Sequence, residues 1–235
     1  MDFAAFARTP PKFHCWDGDW KDGGFSTYHL EKIYDFCRKH GPVSPTVLET
    51  GAGNSTVCFL HLEPARLISI ALEQPLFDRV TEYCRVNAIS TDPLQIHVGG
   101  SEWALPALAS NQDHPRLDFA LIDGCHGYPM VAIDFFYINT MLRKGGFLLI
   151  DDIRLHSVAE LFRLLSCQTE DFRLAANLGK LQIFEKLTDA SQLGWWGTQR
   201  YVAALSGFPA RPLLNGFISS VLAIRNMKQN LLRWK

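Results

Sequence analysis

Two apolar runs in the middle of the chain finish in carboxylates. Leu121-Ile122 gives way to Asp123, and the run Phe147–Ile150 gives way to Asp151 and Asp152. His126 follows three residues after Asp123. Carboxylates beside an imidazole can exchange protons with a reacting group or present oxygens to a hard cation. The same acids can also do plain structural work, capping a turn or the start of the next helix. The choice depends on the elements that carry them.

Those elements alternate. Thr46–Glu49, Leu67–Leu72, Leu94–Val98, Leu117–Ile122 and Phe147–Ile150 read as strands. Helical patterns start near Ser55 and run over Pro75–Asn87, Glu102–Leu108, Pro129–Leu142 and Ser157–Leu165. Such alternation predicts a parallel sheet covered by helices on both faces. The pattern then changes. Phe172–Ala176 and Leu181–Glu185 are separated by a few residues around Leu178-Gly179, too few for a crossover helix, so they should form an antiparallel hairpin.

The flanks read differently. Residues up to about Gly24 are rich in Trp, Gly, Pro and Asp and suggest an irregular arm. A helix follows Ser26, with Leu30, Ile33, Tyr34 and Cys37 on one side, and Gly41-Pro42 stops it. Beyond Lys186, a turn-rich stretch around Gly194-Trp195-Trp196-Gly197 leads to a helix from about Leu213 to Arg233. Its stripe of Phe217, Ile218, Val221, Leu222, Ile224 and Leu231 suits packing against the same chain or against a twin subunit in a homodimer. Trp16, Trp20, Trp195 and Trp196 suit packing of these arms onto the core. Three segments result: 1–45 (arm and cap helix), 46–187 (core) and 188–235 (helical extension).

Composition limits the partners. Of 235 residues, 47% are hydrophobic and 20% charged, enough for a sizeable core. With 23 Lys plus Arg against 24 Asp plus Glu, the net charge of −1 gives no general attraction to nucleic acid or anionic membrane. The six cysteines are scattered, with no CxxC pair, which favours a reduced, cytoplasmic setting. The N-terminus lacks the apolar core of a secretory signal, and no apolar run is long enough to span a bilayer.

Val47–Thr56 combines a strand end, an acid, a Gly-x-Gly turn and a helix start. In open parallel sheets, ligands bind where such turns leave the strand ends. Gly51 and Gly53 permit tight turning and close approach, and the N–H groups near Ser55 and Thr56 would favour an anion. Glu73 ends the second strand, twenty residues past Gly53, where an acid can accept hydrogen bonds from ribose hydroxyls. An adenosine-containing cofactor fits this pattern. A dinucleotide is the alternative, although Thr56 stands where its third glycine would be.

These residues resemble the class I S-adenosylmethionine-dependent methyltransferases from about Thr46 to Lys186, hairpin included. The resemblance implies a Rossmann-like α/β fold with a seven-stranded sheet of order 3-2-1-4-5-7-6, the last strand antiparallel. Glu49-Thr50-Gly51-Ala52-Gly53 resembles the family's cofactor loop, and Ser55 and Thr56 continue it. Glu73 matches the ribose-binding acid. Gly99–Pro106 is similar to the segment that lies along the adenine in catechol-type O-methyltransferases, with Ser101 and Glu102 at the contact positions. Asp123, His126, Asp151 and Asp152 resemble the metal-dependent macrocin and mycinamicin sugar O-methyltransferases, in which the three acids hold magnesium and the His is the general base. Catechol-type enzymes carry Asp-Asn at the last pair, so the sugar-type enzymes are the nearer match.

The chemistry has a use for such groups. Methyl transfer is an in-line displacement, and a free hydroxyl is a poor nucleophile at neutral pH. A hard cation can lower its pKa, and a base can take its proton. Magnesium favours carboxylate, water and substrate oxygens, and an imidazole such as that of His126 is a common proton acceptor in catalysis. The expectation is magnesium-assisted O-methylation of a small sugar-like or catechol-like molecule, with Asp123, Asp151 and Asp152 on the metal and Asp123 also at the cofactor. Three other readings remain open: a metal-independent methyltransferase, a nicotinamide-dependent dehydrogenase, and a catalytically silent cofactor-binding module.

Overall fold

A computed structural model describes residues 1–16, 19–20, 23–111, 113–191, 193–194 and 199–205. The chain divides into two compact units, Met1–Gln192 and Leu193–Lys235. In the second, the described element is a short helix, Arg200–Leu205. The anticipated helix from Leu213 to Arg233, its interface, and Trp195 and Trp196 lie outside the described residues.

The first unit is built on seven strands: β1 (Thr46–Thr50), β2 (Arg66–Ala71), β3 (Leu94–Val98), β4 (Leu117–Ile122), β5 (Leu142–Ile150), β6 (Phe172–Leu178) and β7 (Leu181–Lys186). Their spatial order is 3-2-1-4-5-7-6. The first five are parallel, and β7 runs antiparallel to both β5 and β6. This is the Rossmann-like methyltransferase sheet. Central strands are buried on both sides and so read as continuous apolar runs, as in Phe119–Ile122. β3, at the edge, alternates apolar and polar residues and is more exposed.

Seven helices surround the sheet: α1 (Phe3–Arg8), α2 (Thr27–His40), α3 (Asn54–Leu60), α4 (Gln74–Val86), α5 (Ser101–Ala109), α6 (Met130–Met141) and α7 (His156–Cys167). α1 to α4 contact one another in succession, as do α5 to α7, so each set forms one layer. On the α1–α4 side, Leu30, Ile33, Val57, Phe59, Phe77 and Val80 pack against Val47, Leu67, Phe119 and Leu121.

The opening segment is more ordered than an irregular arm. Asp2 accepts a hydrogen bond from the Ala5 N–H at 2.8 Å and so caps α1. Phe6 and Ala7 are fully buried, and Phe3 stacks on Tyr34 of α2 with ring centroids 3.7 Å apart. Phe13 and Phe25 join the same core. A small antiparallel ribbon pairs Cys15–Trp16 with Asp19–Trp20. Apolar residues at Phe3, Phe6 and Ala7 thus outweigh the loop-forming composition around them. Among the described residues no helix is long and apolar enough to cross a membrane.

Candidate active site

The turn after β1 is shaped by two glycines in backbone conformations that side chains disfavour. Gly51 has φ +93°, and a Cβ there would stand 2.5 Å from the Asp123 carbonyl oxygen. Glycine therefore lets the β1 turn lie against the end of β4. Gly53 has φ +138°, and a Cβ there would stand 3.1 Å from Nε2 of His14 in the N-terminal segment. Gly53 N–H donates to Thr56 Oγ1 at 2.9 Å, which closes the turn into α3.

Glu49 stands beneath this loop, fully buried. Thr56 donates to its Oε1 at 2.5 Å, and the Ser69 hydroxyl donates to the same oxygen. Its other oxygen has no hydrogen-bond partner among the described residues. Burial pushes the Glu49 carboxyl up to about 7, against the opposing effect of the Ser55, Ser69 and Thr56 hydroxyls. Glu49 thereby ties β1 to α3 and β2.

A cavity of about 660 Å³ opens at the carboxyl ends of the strands. Gly51 and Ala52 form one wall and Glu73, just past β2, another. Ser101 and Glu102 enter from the first turn of α5, and Asp123 and His126 from the loop after β4. Asp151 and Asp152 close the far side. Four residues expected at the cofactor, Glu49, Gly53, Ser55 and Thr56, do not line it. His14, Gly23, Gly24 and Lys180 do, and the sequence reading missed all four.

At the far side, His126 Nε2 lies 3.6 Å from Asp123 Oδ1. That nitrogen is buried with no hydrogen-bond partner among the described residues. The separation is slightly beyond a hydrogen bond, and such contacts often tighten only when substrate binds. Burial first, and then the nearby Asp151 carboxylate, push the Asp123 carboxyl well above the usual range, while Lys180 pulls it down. Asp151 is 2% exposed, and its Oδ1 has no partner among the described residues.

The remaining group is Lys180, in the β6–β7 turn. Its ammonium donates to Asp151 Oδ2 at 2.7 Å and lies 3.3 Å from Asp152 Oδ1. Two adjacent acids on a strand normally point apart. Here Asp152 has left the strand in a left-handed conformation, φ +52°, which Asp tolerates better than most residues. Both carboxylates therefore reach one cation. Asp123, Asp151 and Asp152 have the right chemistry for magnesium. As arranged they do not fit it, because Lys180 stands on two of them. Among the described residues no three His, Cys, Asp or Glu side chains form a group able to hold a metal.

A further buried acid was not anticipated. Asp134 on α6 is fully buried, and neither carboxylate oxygen has a hydrogen-bond partner among the described residues. Burial raises its pKa, while the Ser101 and Thr50 hydroxyls nearby lower it.

Residues 48–153 match a family model described as "Methyltransferase domain". The fold is similar to that of the O-methyltransferase TomG from Streptomyces achromogenes, involved in tomaymycin synthesis and solved with S-adenosylmethionine. The TM-score is 0.62 at 16% identity, covering 72% of this chain and 84% of that one. It is similar also to an O-methyltransferase from Bacillus cereus in complex with S-adenosylhomocysteine, with TM-score 0.59 at 14% identity, covering 72% and 84%. At such identities the likeness shows the fold alone. No curated protein matches the sequence. Residues 48–153 are thus a methyltransferase domain, and the sheet order and strand-end cavity are those of the class I S-adenosylmethionine-dependent methyltransferase fold. The domain itself spans the β1 turn, the acid after β2, the β4 loop and the end of β5.

Proposed function

We propose that this enzyme transfers the methyl group of S-adenosylmethionine to a hydroxyl oxygen of a small, polar molecule in the cytoplasm. Gly51, Ala52 and Glu73, with Ser101 and Glu102, hold the methyl donor along one side of the cavity. Glu49, Gly53, Ser55 and Thr56 support the loop from beneath. The acceptor enters beside Asp123, His126 and Asp151. Its oxygen attacks the methyl carbon, the carbon–sulfur bond breaks with its electron pair going to sulfur, and S-adenosylhomocysteine leaves. The hydroxyl proton passes to His126, whose charge Asp123 stabilises.

The observation that carries this reading is the Asp123–His126 pair at 3.6 Å, on the cavity wall and against the cofactor turn through Gly51. A hydride-transfer site would also use such a base, so the choice of methyl transfer over hydride transfer rests on the sheet order and the methyltransferase domain match. Magnesium assistance is the second reading. It is supported by three acids gathered at neighbouring strand ends, and it would require the Lys180 ammonium to give up Asp151 and Asp152.

The test is methyl-donor consumption measured across polyols, sugar derivatives and catechols, with and without magnesium. S-adenosylhomocysteine should accumulate with at least one hydroxylated acceptor. Turnover confined to amine or thiol acceptors in a parallel panel would contradict O-methylation.

A further inference from the structure

Strand direction explains why a lysine reaches this site. β5 runs parallel to its neighbour β4 and ends at the cavity, whereas β7 is antiparallel and begins there. Gln182 pairs with Ile150, the last residue of β5, so Lys180 must project beside Asp151. Two features fix it there. Ile153 N–H donates to the Lys180 carbonyl at 3.1 Å, pinning the turn to the loop that follows the acids. Gly179 takes φ +79°, and its N–H donates to Asn177 Oδ1 at 3.1 Å, which makes the turn tight.

The ammonium is held on several sides. Asp151 accepts one of its N–H bonds, Asp152 Oδ1 lies 3.3 Å away as an ion-pair partner, and the Phe25 ring centroid is 5.2 Å from Nζ. Asp151 is almost wholly buried, and a buried carboxylate without a counter-charge is strongly disfavoured.

We propose that Lys180 is a built-in cation that takes the place of a divalent metal at this site, holding Asp151 and Asp152 and leaving methyl transfer independent of magnesium. This rests on the methyltransferase reading above but not on the identity of the acceptor. A magnesium ion on Asp151 and Asp152 would have to expel the ammonium, and two cations this close repel. Removing the charge should therefore leave Asp123, Asp151 and Asp152 with no resident cation, and their mutual repulsion would be relieved by closing on a metal ion. Lys180 is a positioning residue in this account, since it acts through the two carboxylates.

The experiment is titration of the full-length protein with manganese chloride, a spectroscopically visible stand-in for magnesium, followed by electron paramagnetic resonance. S-adenosylhomocysteine binding to each sample is measured by calorimetry. Wild type and Lys180→Arg should show no specific manganese binding, and Lys180→Gln should bind one ion at least roughly tenfold more tightly than wild type. One ion bound equally well by wild type and Lys180→Gln would overturn the proposal. So would binding by neither, because the acids would then form no cation site at all. Should Lys180→Gln fail to fold, Lys180→Met takes its place with the same outcomes, and tight binding of a single manganese ion by wild type overturns the proposal by itself. Failure of S-adenosylhomocysteine to bind would instead remove the methyltransferase reading, leaving the manganese result to stand.

Discussion

At the scale of single residues, the site separates groups that face the cavity from groups that only support it. His126 faces it, and its catalytic role is testable apart from binding. His126→Asn keeps a polar side chain but removes the proton acceptor. It should lower kcat by roughly a hundredfold or more while S-adenosylhomocysteine affinity stays unchanged. An unaltered kcat would assign the proton elsewhere, with the buried Asp134 the next group to test. Glu49 supports. Its folded-state pKa of about 7 lies above the ordinary 4.5, so the folded protein holds a proton that the unfolded chain has already lost. Stability should therefore fall as pH rises from about 4.5 to 7, by something on the order of 3 kcal/mol from this group. Glu49→Gln carries no such charge. The difference between the urea-unfolding pH profiles of wild type and Glu49→Gln should show this decline, and parallel profiles would contradict it. The sequence marks Glu49 as an acid in a cofactor loop. It does not reveal that both neighbouring hydroxyls turn the side chain into the core, because strand alternation fixes a face only once the partners on that face are known.

At the scale of elements, the strand-end acids were legible because central strands are written as apolar runs and end where polarity resumes. Asp123, Asp151, Asp152 and Glu73 are legible in this way and His126 by its spacing from Asp123, and all line the cavity. Lys180 was not, since a lysine in a hairpin turn reads as an ordinary solvated residue. The available signal was topological: a hairpin that inserts antiparallel beside β5 must bring its turn to the carboxyl end of that strand. His14, Gly23 and Gly24 were missed because a segment rich in turn formers gives no register, and its place over the cavity depends on Phe6, Phe13 and Phe25 packing far away in sequence. The β1 turn offers the sharpest test of element placement. Gly51→Ala forces a Cβ towards the Asp123 carbonyl in a left-handed conformation. It should cost about 1–3 kcal/mol in urea unfolding and weaken S-adenosylhomocysteine binding together with stability. Normal stability with normal binding would mean that the turn and the end of β4 do not meet as described.

At the scale of the molecule, a sheet of order 3-2-1-4-5-7-6 gathers at one edge the ends of strands far apart in sequence. That edge holds a glycine turn and an acid on one side, and an imidazole, three carboxylates and a lysine on the other. The fold accounts for the donor, while the acceptor is left to local chemistry that the sequence specifies only in part. The central claim is that this cavity binds the methyl donor's adenosyl group and not a dinucleotide. Calorimetric titration of the full-length protein with S-adenosylhomocysteine, and separately with NAD, tests it most directly. Saturable 1:1 binding of S-adenosylhomocysteine with no binding of NAD is the expected result. Binding of NAD alone, or of neither ligand, would contradict the account.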